Sequence, residues 1–552
     1  MLLGLDVGGT FTDGAVVLAG KVICVVKTPT THGNLLEGIL TAVDQIVQEV
    51  GSSQFARIAL STTIVTNALI EGKVDQVGLC IMPGPGMNIE AALPIEPYVL
   101  SGYIDHRGRV VASPRQEEVI AACRQFGERS VFALSGKFSV RNPYCEQTVK
   151  QWVQEEVAPD HITIGSGVAG TLNFLRRTNS AYYNAAVWRH FNTFAAAVEK
   201  AFHARRILAP IYILKADGGT LPLSVAKNNP VEAIFTGPAA SVLGIMAMDP
   251  VDVPSISLDI GGTTTDIALW QNGVPLFAEG GARVAGFVTA LRSFRLSSVG
   301  IGGDSFVRYE EGVLKIGPMR RGPAMAVGGG WPTVTDAMVV AGLIDFGHHE
   351  LAALAMRQVA GDGQTAEQMA HQVLSGVVDE ICRGIEDMFA QQAAQPVYRV
   401  EDMMKGTSLI AQQIIGVGGS AVGLIPLVGK RLGLPYKLPK QGMVANAIGA
   451  ALARSTVDIS LRADTGAGYY TVVELGIKDK LPKGKFTLND AYELAAKHLE
   501  ELAAIRGVSL GVIEIIHSEE FNVIEGFSTV GKIFSCRLQI KPGVIVNSKE
   551  GL

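Results

Sequence analysis

The sequence predicts an α/β protein of two lobes, each opened by the same β-hairpin, with a small α+β appendage at its end. Three observations carry this expectation. Apolar strand-like runs alternate with helical runs along most of 552 residues, too many for one compact core. A phrase of the form D-[VI]-G-G-T-x-T-D occurs twice, as "DVGGTFTD" from Asp6 and "DIGGTTTD" from Asp259. The texture changes after about Ser455. The expected units are 1–245, a first lobe with an inserted subdomain; 246–455, a second lobe; and 456–552, the appendage.

Each element follows from its residues. "LLGLDVGG" and "GAVVLAGKVICVVKTPT" read as consecutive strands turning at Gly8-Gly9 and Ala19-Gly20. "NLLEGILTAVDQIVQEVG" reads as an amphipathic helix ended by Gly51. "RIALSTTIVTNALIEGK" reads as strand, polar turn and helix, and "QVGLCIMPG", "SVFALSG" and "HITIGSG" as buried strands. "RTNSAYYNAAVWRHFNTFAAAVEKAFHARR" predicts a long helix. The second half repeats the theme: "ISLDIGGTTTDIALWQNGVPLFAEGG" gives strand, turn, strand, and "TAEQMAHQVLSGVVDEICRGIEDMFAQQAAQ" a long helix. "QQIIGVGGSAVGLIPLVGKRLG" is strand, glycine loop and helix, and "MVANAIGAALARST" a small-residue helix. Beyond it, "GYYTVVELG", "FNVIEGF" and "KIFSCRLQIK" predict strands around the helix "LNDAYELAAKHLEELAAIRG", with a loose tail.

Composition excludes some classes. The net charge is −5 with no basic run, which argues against nucleic acid or an anionic membrane as an obligatory partner. No apolar stretch reaches the ~18 residues that a membrane span needs. The six cysteines form no C-x-x-C pair and are expected as buried thiols in a reducing compartment, with the cytoplasm as the setting. The ten histidines show no metal-ligand spacing.

The repeated phrase carries the chemistry. An Asp ends a buried strand, two glycines expose backbone N–H groups without an obstructing Cβ, and threonines add hydroxyls. Such a turn holds phosphate, and its Asp orients a hydrated Mg²⁺. It is neither a Walker loop nor a dinucleotide fingerprint, because a strand rather than a helix follows the glycines. Two copies suit a polyphosphate gripped from both sides. Asp6 and Asp259 are the candidate metal-orienting and catalytic carboxylates. Gly8, Gly9, Thr10 and Thr12, with Gly261, Gly262, Thr263 and Thr264, are expected to line the phosphates. Asp13 and Asp266 polarise a water or brace the hairpins. Ser61, Thr62, Thr63 and Asn67 lie at a strand end and first helical turn, suited to binding a substrate oxygen or simply to capping. Asp217 in "KADGGT" is a candidate general base, or an ordinary turn Asp.

With both hairpins in view, the chain resembles the actin, Hsp70 and sugar-kinase superfamily of ATPases. "IIGVGGSAVGLIP" resembles its adenosine motif, "VGIGGDSFV" the Gly-Gly-acid loop that follows the second hairpin, and "FTGPAASVLGI" and "ANAIGAALA" the two connecting helices. The resemblance implies an actin-like, ribonuclease H-like fold that binds ATP and Mg²⁺. Gly418, Gly419 and Ser420 would then face the adenosine, and Gly302, Gly303 and Asp304 the ribose or γ-phosphate.

Within that superfamily, "GLDVGGTFTD", "STTIVTNALIEGK", "KADGGTLPLSVAKNNPVEAIFTGPAAS" and "PTVTDAMVVAGLI" resemble the hydantoinase A/5-oxoprolinase family over most of residues 2–455. That resemblance implies ATP-dependent phosphorylation of a carbonyl or enolate oxygen of a cyclic amide or ketone-like substrate, with a hydantoinase B-like second subunit or a homo-oligomer as partner. The chain departs from the family pattern in several places, a short C-terminal region among them. An Arg-Glu pair is reduced to Leu175-Arg176-Arg177. "RRGPAMAVGGGWPTVTDA" lacks the family's Cys and Tyr. "GSAVGLIP" replaces a Gly-Pro-x-His stretch. An ATPase acting on a partner protein, chaperone-like or reactivating, is the competing reading, and a nucleotide-binding regulator a third.

Overall fold

A computed structural model describes residues 1–30, 35–89, 91–394 and 409–545. Its first lobe is built on a six-stranded sheet. Leu2–Val7, Phe11–Leu18 and Lys21–Pro29 form an antiparallel meander. Arg57–Thr62 joins the other side of Leu2–Val7 in parallel, Ile211–Leu214 follows in parallel, and Thr220–Pro222 closes the edge. Leu3, Leu5, Ile58, Leu60 and Ile213 are completely buried, as central strands covered on both faces require.

The second lobe repeats this order. Ser255–Ile260, Thr265–Gln271 and Val274–Pro275 are antiparallel, and Gln413–Val417 and then Tyr436–Lys437 join in parallel on the far side. The register repeats as well: Asp6 stands opposite Asp13, and Asp259 opposite Asp266. The protein is therefore α/β with two equivalent lobes, the duplication that the repeated hairpin predicts.

The remaining units surround this pair. A four-stranded parallel sheet (Val77–Met82, Tyr98–Val99, Val131–Gly136 and His161–Ile164) packs beside the long helix Phe174–Ala204. A five-stranded antiparallel sheet, spanning Asp458–Asp464 to Ser528–Ile540, carries the helix Leu488–Ile505 on one face. A capping box between Thr487 and Asp490 starts that helix. All six cysteines are buried thiols, and no helix among the described residues is long and apolar enough to cross a membrane. The C-terminal tail, together with the end of the helix read from "TAEQMAHQ", lies outside the described residues.

Two of the departures from the family pattern have a local structural account. Arg177 is completely buried, and its guanidinium donates to the carbonyls of Thr171, Gly136 and Lys137 at 2.6, 2.5 and 3.1 Å. Its nearby negative charge is Glu146, from a different helix. In "PTVTDA", the Asp336 carboxylate accepts bonds from the backbone of Met325, Ala326 and Thr333 and from the Thr333 hydroxyl. It anchors the segment without any neighbouring Cys or Tyr.

Two helices tie the lobes together, Thr236–Met248 and Ala445–Leu452. They touch backbone to backbone. A Cβ added at Gly244 would meet the Ala445 carbonyl oxygen at 2.1 Å, and one at Gly449 would meet that of Ala240 at 2.0 Å. Gly4, in the first strand, approaches the Ala447 carbonyl equally closely. Only glycine permits this approach. Gly449→Ala is expected to cost about 1–3 kcal/mol of stability. Denaturant titration checks this, and an unchanged midpoint would contradict the packing.

Candidate nucleotide site

The two hairpin turns meet at the seam between the lobes. A Cβ placed on Gly262 would lie 3.1 Å from the Thr10 hydroxyl of the opposite lobe and 3.0 Å from Asp304. A Cβ on Gly9 or Gly419 would meet nothing within 4 Å, so both glycines border open space. The Gly302-Gly303-Asp304 loop is bonded onto the second turn, with Gly303 N–H donating to Gly261 O at 2.9 Å and Asp304 N–H to Gly262 O at 2.6 Å. Thr335 supports it by donating its hydroxyl to Gly303 O at 2.9 Å. Gly418 has φ +93°, and a Cβ there would strike the Asp259 carboxylate at 2.5 Å. Ser420 N–H donates to Ile260 O at 3.1 Å, which seats the third glycine loop against the same strand end. The structure thus gathers Gly8–Thr10, Gly261–Thr264, Gly302–Asp304 and Gly418–Ser420 at one place.

Asp6 and Asp259 face the same seam. Asn446, from the second linking helix, donates to Asp6 Oδ2 at 3.2 Å and is also a hydrogen-bond partner of Asp259. Burial pushes both carboxyls up to about 7. The Asp13 and Asp259 charges add to this at Asp6, and the Asp266 charge adds at Asp259. Burial also raises Asp266 to about 6, against a hydrogen bond from Ser298. The seam therefore concentrates negative charge that a cation would relieve. Among the described residues no three His, Cys, Asp or Glu side chains converge as a ligand set. Two carboxylates completed by phosphate oxygens and water are the donor set that suits Mg²⁺.

Several assignments change. Thr12 does not border the open space: it is fully buried, with its hydroxyl 3.1 Å from that of Thr30. Asp13 braces the hairpin through Lys27, 2.8 Å away, a cation that nothing in the repeated phrase announces. Thr62 is completely buried, its N–H donating to Thr236 Oγ1 at 2.9 Å and its hydroxyl accepting from Ile64 N–H. Thr63 donates to Val7 O and accepts from Asn67. These three residues anchor the start of a short helix. Asp217 takes its hydrogen bonds from residues outside the hairpins. Its carboxylate accepts from Gln539 at 2.7 Å and from Gly219 N–H at 2.9 Å. Burial alone would raise its pKa, but the charges of Lys215 and Arg292 hold it below the usual range, the wrong direction for a base. Asn446 and Lys27 are the site residues that sequence reasoning missed. Asn446 stands inside the quoted "ANAIGAALA" as the only polar residue on an otherwise apolar segment, and that was its signal.

Known proteins place this geometry in context. Acetone carboxylase, in a nucleotide-free structure, aligns over 99% of this chain and 88% of its own at TM-score 0.72 and 18% identity. The ATP-dependent caprolactamase of Pseudomonas jessenii aligns over 98% and 87% at TM-score 0.69 and 20% identity. These show a shared fold. By sequence, the caprolactamase alpha subunit of the same organism is 27% identical over 379 residues, 62% of this chain and 54% of that protein. The acetophenone carboxylase gamma subunit of Aromatoleum aromaticum is 27% identical over 400 residues, 62% and 53%. A 5-oxoprolinase of Pestalotiopsis fici is 23% identical over 509 residues, 78% and 39%. The chain spans about half the length, or less, of these curated relatives. The hydantoinase/oxoprolinase N-terminal region matches residues 2–157, and the hydantoinase/oxoprolinase domain matches residues 177–459. The chain belongs to the hydantoinase/oxoprolinase family.

Proposed function

We propose that this chain binds ATP·Mg²⁺ between its two hairpins and transfers the γ-phosphoryl group to the carbonyl or enolate oxygen of a cyclic amide or ketone-like substrate, as an ATP-dependent hydrolase or as the ATP-binding subunit of a carboxylase. The observation that carries this reading is the convergence of Asp6 and Asp259, one from each lobe, on a seam lined by glycines. Asp6 and Asp259 would hold the cation together with phosphate oxygens and water. A bound Mg²⁺ would supply neutralisation of charge on the transferring group. The turn N–H groups of Gly9 and Gly262 hold phosphate oxygens, Asp304 stands on the ribose or γ-phosphate side, and Gly418–Ser420 take the adenosine. The chain's own glycines leave the room, and Asn446 holds both carboxylates at a fixed separation.

Relatives named as alpha and gamma subunits support a second, hydantoinase B-like subunit as the partner that completes the chemistry. The family's caprolactamase and oxoprolinase members support a cyclic amide as substrate, and its carboxylases a ketone.

ATP turnover should rise when the chain, with its partner subunit, meets a hydantoin, a lactam or a ketone with bicarbonate. Stimulation by a partner protein alone would instead favour the partner-directed ATPase. Asp6→Asn and Asp259→Asn are each expected to lower turnover by roughly 10²–10³, while Gly9→Ala should keep the fold and weaken nucleotide binding. Undiminished hydrolysis in both Asp variants would reject the site.

A pH dependence follows. Unfolded Asp ionises near 3.8, whereas folded Asp6 and Asp259 ionise near 7. The native state thus binds more protons between these values, and stability falls as pH rises through that window, with the loss complete above about 7. Mg²⁺ with ADP should therefore raise the melting temperature more at pH 8 than at pH 5. Equal gains at both would contradict the carboxylate assignment.

A further inference from the structure

A second polar site lies at the junction of the first lobe, the segment Ala290–Arg292 and the C-terminal sheet. It is a cavity of about 50 Å³ lined by Lys215, Asp217, Glu232, Arg292, Asp458 and Arg537. One water needs ~10–15 Å³ on the same measure, so there is room for a small molecule.

Most of its charges are already committed. Arg537 grips Asp458 at 2.8 and 2.7 Å. Asp217 is held by Gln539 and Gly219, and Arg292 donates to Glu514 and Gln539. Lys215 and Glu232 differ. The buried Lys215 ammonium reaches Asp217, Glu232 and Thr456 Oγ1 only at 3.5 Å each, beyond the usual 2.7–3.2 Å of a formed bond. Among the described residues, Lys215 is the ion-pair partner found for the Glu232 carboxylate. A donor and an acceptor thus stand side by side at the cavity wall, Lys215 buried and the Glu232 side chain 25% exposed, and neither is saturated by short hydrogen bonds. Such a pair is costly unless something fills it.

The pocket also stands at a suitable place in the fold. Lys215 follows the strand Ile211–Leu214, which runs parallel to Arg57–Thr62, itself parallel to the strand bearing Asp6. The carboxyl ends of all three point the same way, the edge at which open α/β sheets bind ligands. Polar contacts reach from Asp6 to the segment that also carries Glu232. Ser61 bonds to Asp6, and its hydroxyl lies 3.3 Å from that of Thr236, four residues beyond Glu232.

We infer that this pocket is the acceptor subsite, taking a small cyclic amide with its carbonyl oxygen on Lys215 and its N–H on Glu232. The shape of the pair selects the ligand. A small ring holds its amide cis, so the carbonyl oxygen and the N–H share one edge and meet an adjacent donor and acceptor together. An open-chain secondary amide is trans and turns these groups to opposite sides. The inference rests on the ATP-dependent reading above, and it adds which residues hold the substrate. Lys215 and Glu232 contact the ligand directly, and Asp217 is a positioning residue that keeps the ammonium charged and in place.

Crystals of the full chain soaked in γ-butyrolactam should show the ring between Lys215 and Glu232. Calorimetry should show weaker binding of γ-butyrolactone, which has the same ring and carbonyl but no N–H. Lys215→Met and the isosteric Glu232→Gln should each weaken the lactam by roughly tenfold or more, with Mg·ADP affinity unchanged and the lactone indifferent to Glu232→Gln. Water alone in the soaked pocket, or lactam binding unchanged in both variants, would overturn the inference. Lactam bound at the pocket of a chain that does not bind Mg·ADP would overturn the ATP reading instead, so the two failures are distinguishable.

Discussion

The constraint on which the rest of this structure depends is the approach of two buried carboxylates, Asp6 and Asp259, each at the end of the central strand of its own sheet. Like charges brought together in a desolvated seam raise one another's pKa and oppose closure of the lobes. The fold holds them there by packing elsewhere. The linking helices meet at Gly244 and Gly449 with no side chain between them, and the second helix lies directly on Gly4 of the first strand. Asn446 rides on that helix and donates to the carboxylates. The electrostatic cost is therefore local, and the packing that offsets it is spread over two helices and two sheets. The proposed ATP·Mg²⁺ would meet a site already shaped to receive it.

The same logic distinguishes the two polar regions of the molecule. In the seam, the negative charges are close, and Lys27 pairs directly with Asp13. At the junction with the C-terminal sheet, charges of both signs are buried together, and most have closed into short pairs such as Arg537 with Asp458. A buried pair that is well made fixes geometry. A buried ammonium left at 3.5 Å from every partner does not, and it marks where a ligand completes the structure. The C-terminal sheet therefore contributes wall to the first lobe through Asp458, Arg537 and Gln539, beyond covering its own core.

The duplicated hairpin was legible because its chemistry is local: the Asp, both glycines and the flanking apolar strand are consecutive in the chain. The Gly418–Ser420 loop and the Gly302-Gly303-Asp304 loop are legible for the same reason, and the four segments lie together at the seam. Thr12 was misread because the side chains of a strand alternate between faces, and its face turns into the core against Thr30. Asp217 was misread because its partner Gln539 lies more than three hundred residues away, in a sheet whose docking no local pattern announces. Thr62 and Asn67 fit either of two roles by sequence, and the hydrogen bonds to Ile64, Thr236 and Thr63 decide for anchoring.

The sequence by itself determined the class of the fold, its duplication and the identity of the turns, since periodicity, glycine pairs and strand-ending aspartates act over a few residues. Tertiary structure alone decided which charges neutralise which. Lys27 meets Asp13 by strand pairing, Asn446 meets Asp6 across the whole chain, and Lys215 meets Glu232 beneath a sheet formed by the last hundred residues. Electrostatic partnership depends on distance through space, and a linear sequence does not carry that distance.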